Sequence, residues 1–173
     1  RFAEYGVPTV VIERGDEVVV IDNLATGRKE HLNPETRLKI IVGSIADKDL
    51  IYKIFDEFKP HTVVHAAASY KDPDDWYSDT LTNCVGGATL INAAKEFGIK
   101  RFIYFQTALC YGLQPIEQPI TLNHPRNPQG SSYAISKTTN ELYLELSGLD
   151  YVTFRLANVI GPRNVAGPLP IFY

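Results

Sequence analysis

The chain has 173 residues, 45% of them apolar and 21% charged, with a formal net charge of −3. This is the balance of a soluble globular domain with a core of its own. It gives no attraction to nucleic acid or to an anionic membrane, and no apolar run is long enough to cross a bilayer. Cys84 and Cys110 are the only cysteines, and neither has a Cys-x-x-Cys partner. Neither a disulfide framework nor a metal site follows. With no signal peptide and no Asn-x-Ser/Thr acceptor, a reducing, cytoplasmic setting is expected.

Residues 17–22 (Glu-Val-Val-Val-Ile-Asp) form an apolar run ending in an acid, as a buried parallel strand does. Residues 38–42 read as a second strand. Asp47 then caps a helix through Leu50, Ile51, Ile54, Phe55 and Phe58, which Lys59-Pro60 stops. Residues 61–66 are a third strand, and a long helix runs from about Asp74 to Phe97 before Gly98. Its Gly86-Gly87 pair costs about 1 kcal/mol per residue against Ala, which points to close approach of another backbone or a ligand. Residues 101–106 form a fourth strand, 115–128 a Pro-rich loop, 131–146 a helix and 151–156 a fifth strand. Strands alternating with helices imply a parallel α/β sheet. Two segments near the N-terminus, around Gly6 and Gly15, echo each other without a physical account.

One spacing carries chemistry. In Tyr133-Ala-Ile-Ser-Lys137 the tyrosine and lysine share a helix face one turn apart. A lysine charge there lowers the phenol pKa, about 10 when unperturbed, and makes the phenolate a usable base. Thr107, in Gln106-Thr107-Ala108-Leu109-Cys110-Tyr111-Gly112, ends a strand and offers a hydroxyl to share a substrate proton. Together these three residues are the proton-handling equipment for oxidising an alcohol.

Several motifs recur in one order: Ile21-Asp22-Asn23-Leu24, His65-Ala66-Ala67-Ala68, Asn83-Cys84-Val85-Gly86, Thr107 with Tyr111-Gly112, Tyr133-x-x-x-Lys137, and Arg155-Leu-Ala-Asn158-Val-Ile-Gly161-Pro162. In this the chain resembles the extended short-chain dehydrogenase/reductase family, in particular its NAD-dependent nucleotide-sugar epimerases and dehydratases, from about Glu13 to Phe172. The resemblance implies a Rossmann-like, doubly wound parallel sheet. Two family parts are missing from the sequence: the Gly-x-x-Gly-x-x-Gly loop that receives the pyrophosphate, and a complete C-terminal substrate domain. The chain therefore reads as a fragment, with an NAD-binding domain over residues 1–162 and the start of a substrate-binding portion over 163–173.

The resemblance also assigns roles. Asp22 accepts from the adenosine ribose hydroxyls, favouring NAD over NADP, with Asn23, Leu24, Thr26 and Gly27 beside it. Arg28 softens that preference. Ser44 and Ile45 border the adenine, although Ser44 stands where relatives often carry an acid, and Ile45 reads equally well as core. Ala66, Ala67 and Ala68 let backbone approach the cofactor. Ser69 and Lys71 border the substrate, and Asn83 supports the site by hydrogen bonds. His65 reads as a buried strand residue rather than a base. Thr107, Tyr133 and Lys137 are catalytic, with Tyr133 and Lys137 also touching the nicotinamide ribose. Asn158 contacts the nucleotide sugar, and Arg163 faces either a phosphate or solvent.

Dehydratase relatives place Asp-Glu after the threonine, and this chain has Ala108-Leu109. Elimination of water then lacks its acid and base. What remains is 4-epimerisation of a UDP-hexose or UDP-hexosaminuronic acid; residues 70–77 lean toward enzymes of bacterial surface-polysaccharide synthesis. A keto-sugar-nucleotide reductase and a non-catalytic Rossmann-like module are the alternatives. The family's habit of pairing its long helices implies a homodimer.

Overall fold

The computed structural model describes residues 15–27 and 37–158. They fall into two compact units: the residues up to Ser44 together with Asn158, and Ile45–Ala157. The segment around Gly6, Arg28, Gly161, Pro162 and Arg163 lie outside the described residues, as does the proposed boundary at residue 162; the segment around Gly15 leads into the first strand.

In the first unit, β1 (Val18–Asp22) pairs in parallel with β2 (Leu38–Val42), Val20 opposite Ile40. Val20 is buried and packs with Val18, Leu38 and Ile40. The β-branched run makes the strand, and its end is set locally. Asp22 Oδ1 accepts the Leu24 N–H at 2.7 Å, and Leu24 takes a φ of 57°. This Asx turn reverses the chain directly after the strand.

The second unit begins with α1 (Lys48–Phe58). Asp47 caps it by accepting the Leu50 N–H at 3.0 Å, and Lys59 ends it in the left-handed region at φ 44°. Ile51, Ile54 and Phe55 form its buried face. β3 (Thr62–His65) follows. The expected long helix is present but is not uniform. It runs as α2 (Trp76–Asp79), a π-helical segment (Thr80–Val85) and α3 (Gly86–Glu96). β4 (Arg101–Thr107) leads into a 3-10 turn (Ala108–Tyr111), and α4 (Ser132–Ser147) precedes β5 (Tyr151–Leu156). Ser131 caps α4 by accepting the Ala134 N–H, and Gly148 closes it at φ 73°. Such a cap stabilises a helix by about 1 kcal/mol.

β3, β4 and β5 form a parallel sheet in that order, His65 opposite Tyr104 and Thr107 opposite Leu156. Each sheet order is one that the doubly wound fold contains: the pair matches its strands 2 and 3, the triple its strands 4, 5 and 6. On β4, Phe102, Tyr104 and Gln106 are buried at alternate positions, and α4 packs against this strand and the turn beyond it.

The glycine pair departs from expectation. Side chains make the closest approach, and the Ala46 backbone nitrogen comes within 3.5 Å of a Cβ on Gly86. A Cβ on Gly86 would meet the Ile45 side chain, and one on Gly87 would meet the amide of Asn140. The helix cost of two glycines is offset by side-chain packing from elsewhere in the unit.

Candidate active site

Tyr133 and Lys137 occupy the first turns of α4, and Thr107 is the last residue of β4. Packing of α4 on β4 and the 3-10 turn brings the elements of all three together. Thr107 Oγ1 accepts the Leu109 N–H at 3.2 Å and so caps the turn. Its own hydroxyl proton is left for another acceptor. Ala108 and Leu109 lie in that turn, and Leu109 is exposed.

Lys137 is 1% exposed. Burial pushes its ammonium down from the usual lysine range to about 7, because the charged form loses its water. Among the described residues no carboxylate pairs with it. Its Nζ lies 4.4 Å from the centre of the Tyr104 ring instead. Tyr133 is partly buried, and its ring meets that of Tyr70 edge-on, centroids 6.4 Å apart.

The loop after β3 is tied to this helix by Asn83, which is fully buried. Asn83 Oδ1 accepts the Ser69 N–H at 2.9 Å, and its Nδ2 donates to Ser69 O at 3.0 Å and to Ser136 Oγ at 2.9 Å. The Ser136 hydroxyl donates in turn to the main-chain oxygen of Tyr133. One amide therefore fixes the backbone of Ser69, next to Tyr70, and the first turn of α4. Asn83 is a structural support of the site and not a surface residue, as the resemblance implied. Ala66, Ala67, Ala68 and Ser69 are partly exposed along this loop, and Lys71 is exposed.

His65 is buried on β3. Burial, and secondarily the Lys137 charge, hold its imidazole well below the usual range. It stays neutral and serves the core, as expected. Three other residues of the site were not singled out by a linear reading. Glu141, one turn beyond Lys137, is buried and accepts Arg155 Nη2 at 2.6 Å and Gln106 Nε2 at 3.1 Å. Gln106 Oε1 accepts the Thr107 N–H at 2.8 Å. Tyr104 completes the set, its hydroxyl donating to Lys137 O at 2.8 Å. The helical spacing 133, 137, 141 was the one available pointer to Glu141.

The first unit carries the residues expected on the adenosine side: Asp22, Asn23, Leu24, Thr26, Gly27 and Ser44, with Asn158 exposed in the same unit. The Asp22 carboxylate lies against Gly27, where a Cβ would come within 2.8 Å of Oδ2. Glycine at position 27 thus keeps that oxygen open. Ile45 is buried against Gly86 in the second unit, which favours its reading as a core residue over a platform for adenine.

Residues 7–170 match the model of the NAD dependent epimerase/dehydratase family. The Bordetella bronchiseptica enzyme WbmH, solved in complex with NAD+, is 63% identical with a TM-score of 0.94, covering 97% of this chain and 56% of that one. WbmG from the same organism, solved with NAD and UDP, is 46% identical with a TM-score of 0.92, covering 98% and 54%. A UDP-glucose 4-epimerase of Lacticaseibacillus casei is 33% identical over 161 residues, covering 87% of this chain and 46% of the relative. The chain spans about half the length of the curated relatives it matches. By the extent of the family match and the identity to these proteins, the chain belongs to the NAD dependent epimerase/dehydratase family.

Proposed function

We propose that this chain carries the chemistry of an NAD-dependent 4-epimerase acting on a UDP-hexose or UDP-hexosaminuronic acid in the synthesis of polysaccharide precursors. The observation that carries the reading is the Lys137 ammonium. It is buried without a carboxylate partner among the described residues, one turn from Tyr133, on the helix that packs against the strand end holding Thr107. The names of relatives support it: WbmG binds NAD and UDP, and the Lacticaseibacillus casei protein is a UDP-glucose 4-epimerase.

Each unit, taken by itself, carries residues that fit part of a dinucleotide. Asp22 commits Oδ1 to the Leu24 N–H and keeps lone pairs for ribose hydroxyls; a 2′-phosphate would be repelled. The small Ala66–Ala68 run leaves room after β3, and Lys137 would hold the nicotinamide ribose. NAD, when bound, supplies a hydride acceptor that becomes the donor for the return step. Tyr133, as phenolate, takes the proton from the C4 hydroxyl and returns it after the keto sugar has turned over. Thr107, whose oxygen accepts the Leu109 N–H, keeps its own proton and donates a hydrogen bond to the reacting oxygen. Ala108 and Leu109 provide no acid to expel a neighbouring hydroxyl.

The same family reading gives a homodimer. Trp76, Tyr77, Leu81, Ile135, Leu142 and Leu146 are exposed on the long helices that would meet their mates. Cys84 and Cys110 are free thiols, in keeping with a reducing cytoplasm. No helix among the described residues is long and apolar enough to cross a membrane.

Purified full-length protein should convert a UDP-hexose to its C4 epimer with no added reductant, followed by NMR of the sugar. A product that forms only with stoichiometric NAD(P)H would replace this reading with a keto-sugar reductase. Tyr133→Phe keeps the ring beside Tyr70, so it should cut turnover by roughly 10²–10⁴-fold while circular dichroism and NAD binding stay as in the wild type.

A further inference from the structure

A buried ammonium ordinarily needs a carboxylate, and Lys137 has an aromatic face. The groups around the Tyr104–Lys137 pair come from every element packed on it. β3 supplies His65, whose ring lies 5.2 Å from that of Tyr104 and is neutral. The π segment supplies Cys84, a thiol pushed up by burial. α4 itself supplies Tyr133, Asn140 and Glu141. The Glu141 carboxylate is taken up by Arg155 and Gln106. α2, which also packs on α4, supplies Asp79, buried with neither carboxylate oxygen hydrogen-bonded. No ion pair joins it to Lys137, so among the described residues no carboxylate is in contact with the lysine.

The Tyr104 ring is held under the lysine by a second contact. Its hydroxyl donates to the main-chain oxygen of Lys137 at 2.8 Å, so ring and residue are joined at both ends. A carboxylate in place of the ring would cancel the lysine charge locally. A ring face attracts the cation and adds no net charge, so the field remains positive one helical turn away.

We propose that Tyr104 is a positioning residue of this site: its ring face seats the Lys137 ammonium in place of a counter-anion and leaves the lysine's positive field to act on Tyr133. The catalytic consequence rests on the epimerase reading, whereas the seating of the ammonium does not.

The test uses full-length protein labelled with 13Cε-lysine and free of nucleotide, with the Lys137 signal assigned by its loss in Lys137→Arg. Its titration is followed in the wild type, in Tyr104→Phe, and with mono-, di- and trifluorinated phenylalanines placed at position 104. Fluorination drains the ring face with little change of shape, so folding is kept. Tyr104→Phe should titrate within roughly 0.3 pH unit of the wild type, and the midpoint should fall stepwise with fluorine, by about one pH unit across the series. The alkaline limb of kcat should move to lower pH in step, since activity requires the protonated lysine. A midpoint indifferent to fluorination overturns the proposal whatever the activity. A midpoint that follows fluorination in a protein inert toward UDP-hexoses upholds it and removes the epimerase reading instead.

Discussion

The side-chain amide of Asn140 donates to the main-chain oxygen of Asn83 at 2.5 Å. That oxygen belongs to the π-helical segment, where it also receives the Gly86 N–H. π-turns inside α-helices are rare and gather at functional sites. Here the irregular turn carries Asn83, whose side chain holds the loop beside Tyr133, while Asn140 holds its backbone from α4. The same asparagine also lies 3.5 Å from His65 Nε2.

Gly87 admits this contact, since a Cβ there would collide with the Asn140 amide. Gly87→Ala should therefore destabilise the fold by about 1–3 kcal/mol, the cost of overpacking, despite the better helix propensity of alanine. In an Asn140→Ala background the same change should be neutral or stabilising by up to about 1 kcal/mol. Chemical denaturation of the four proteins of this cycle reads the coupling. Equal effects of Gly87→Ala in both backgrounds would show that Asn140 is not what the glycine accommodates.

The ends of α1 and the Tyr133–Lys137 pair were legible because their causes are local. Asp47 and Lys59 act within one turn of the residues they cap, and the Tyr133–Lys137 spacing is a helix period. The partners of Gly86 and Gly87 were not legible. A glycine announces only that something comes close, and Ile45 and Asn140 come from distant parts of the chain. The same holds for Tyr104 and Glu141. Alternation along β4 marks Tyr104 as buried, but that its ring lies under Lys137 follows only once α4 is packed on the strand. The π-turn was hidden too, because its residues have the composition of an ordinary helix.

Glu141 joins Arg155 and Gln106, and Gln106 continues to the Thr107 N–H. Glu141→Ala would leave a guanidinium and an amide without their acceptor, at a cost of about 3–5 kcal/mol, typical for breaking a buried ion pair. Arg126 softens this little, since its closer partner is Glu145 at 2.6 Å, against 3.7 Å to Glu141. Glu141→Gln keeps one acceptor oxygen and should cost about 1–3 kcal/mol. It should also lower kcat more than it raises KM at a temperature where the variant is fully folded, because Thr107 loses its support. An Ala variant within about 1 kcal/mol of the wild type by urea denaturation would remove Glu141 from this role.

Lys137→Met exchanges a buried charge for an apolar chain of similar length. It should abolish turnover and, below pH 7, raise stability by about 1–2 kcal/mol. The pH dependence follows from the direction of the shift. Lys137 titrates near 7 in the folded protein and at 10.5 when unfolded. Between those values the unfolded chain holds a proton that the folded chain has released, so the wild type gains stability as pH rises. That gain is about 1.4 kcal/mol per pH unit, and the methionine variant lacks it. The variant's advantage should thus shrink steadily above pH 7. In acid it should widen again once the pH falls below the variant's own His65 pKa, because His65 is kept neutral by burial and by the Lys137 charge. Only the first of these persists in the variant, which then loses less stability in acid. Denaturation of both proteins from pH 5 to 9 measures the difference, and a gap that is constant across that range would mean that Lys137 keeps an ordinary lysine pKa in the folded protein.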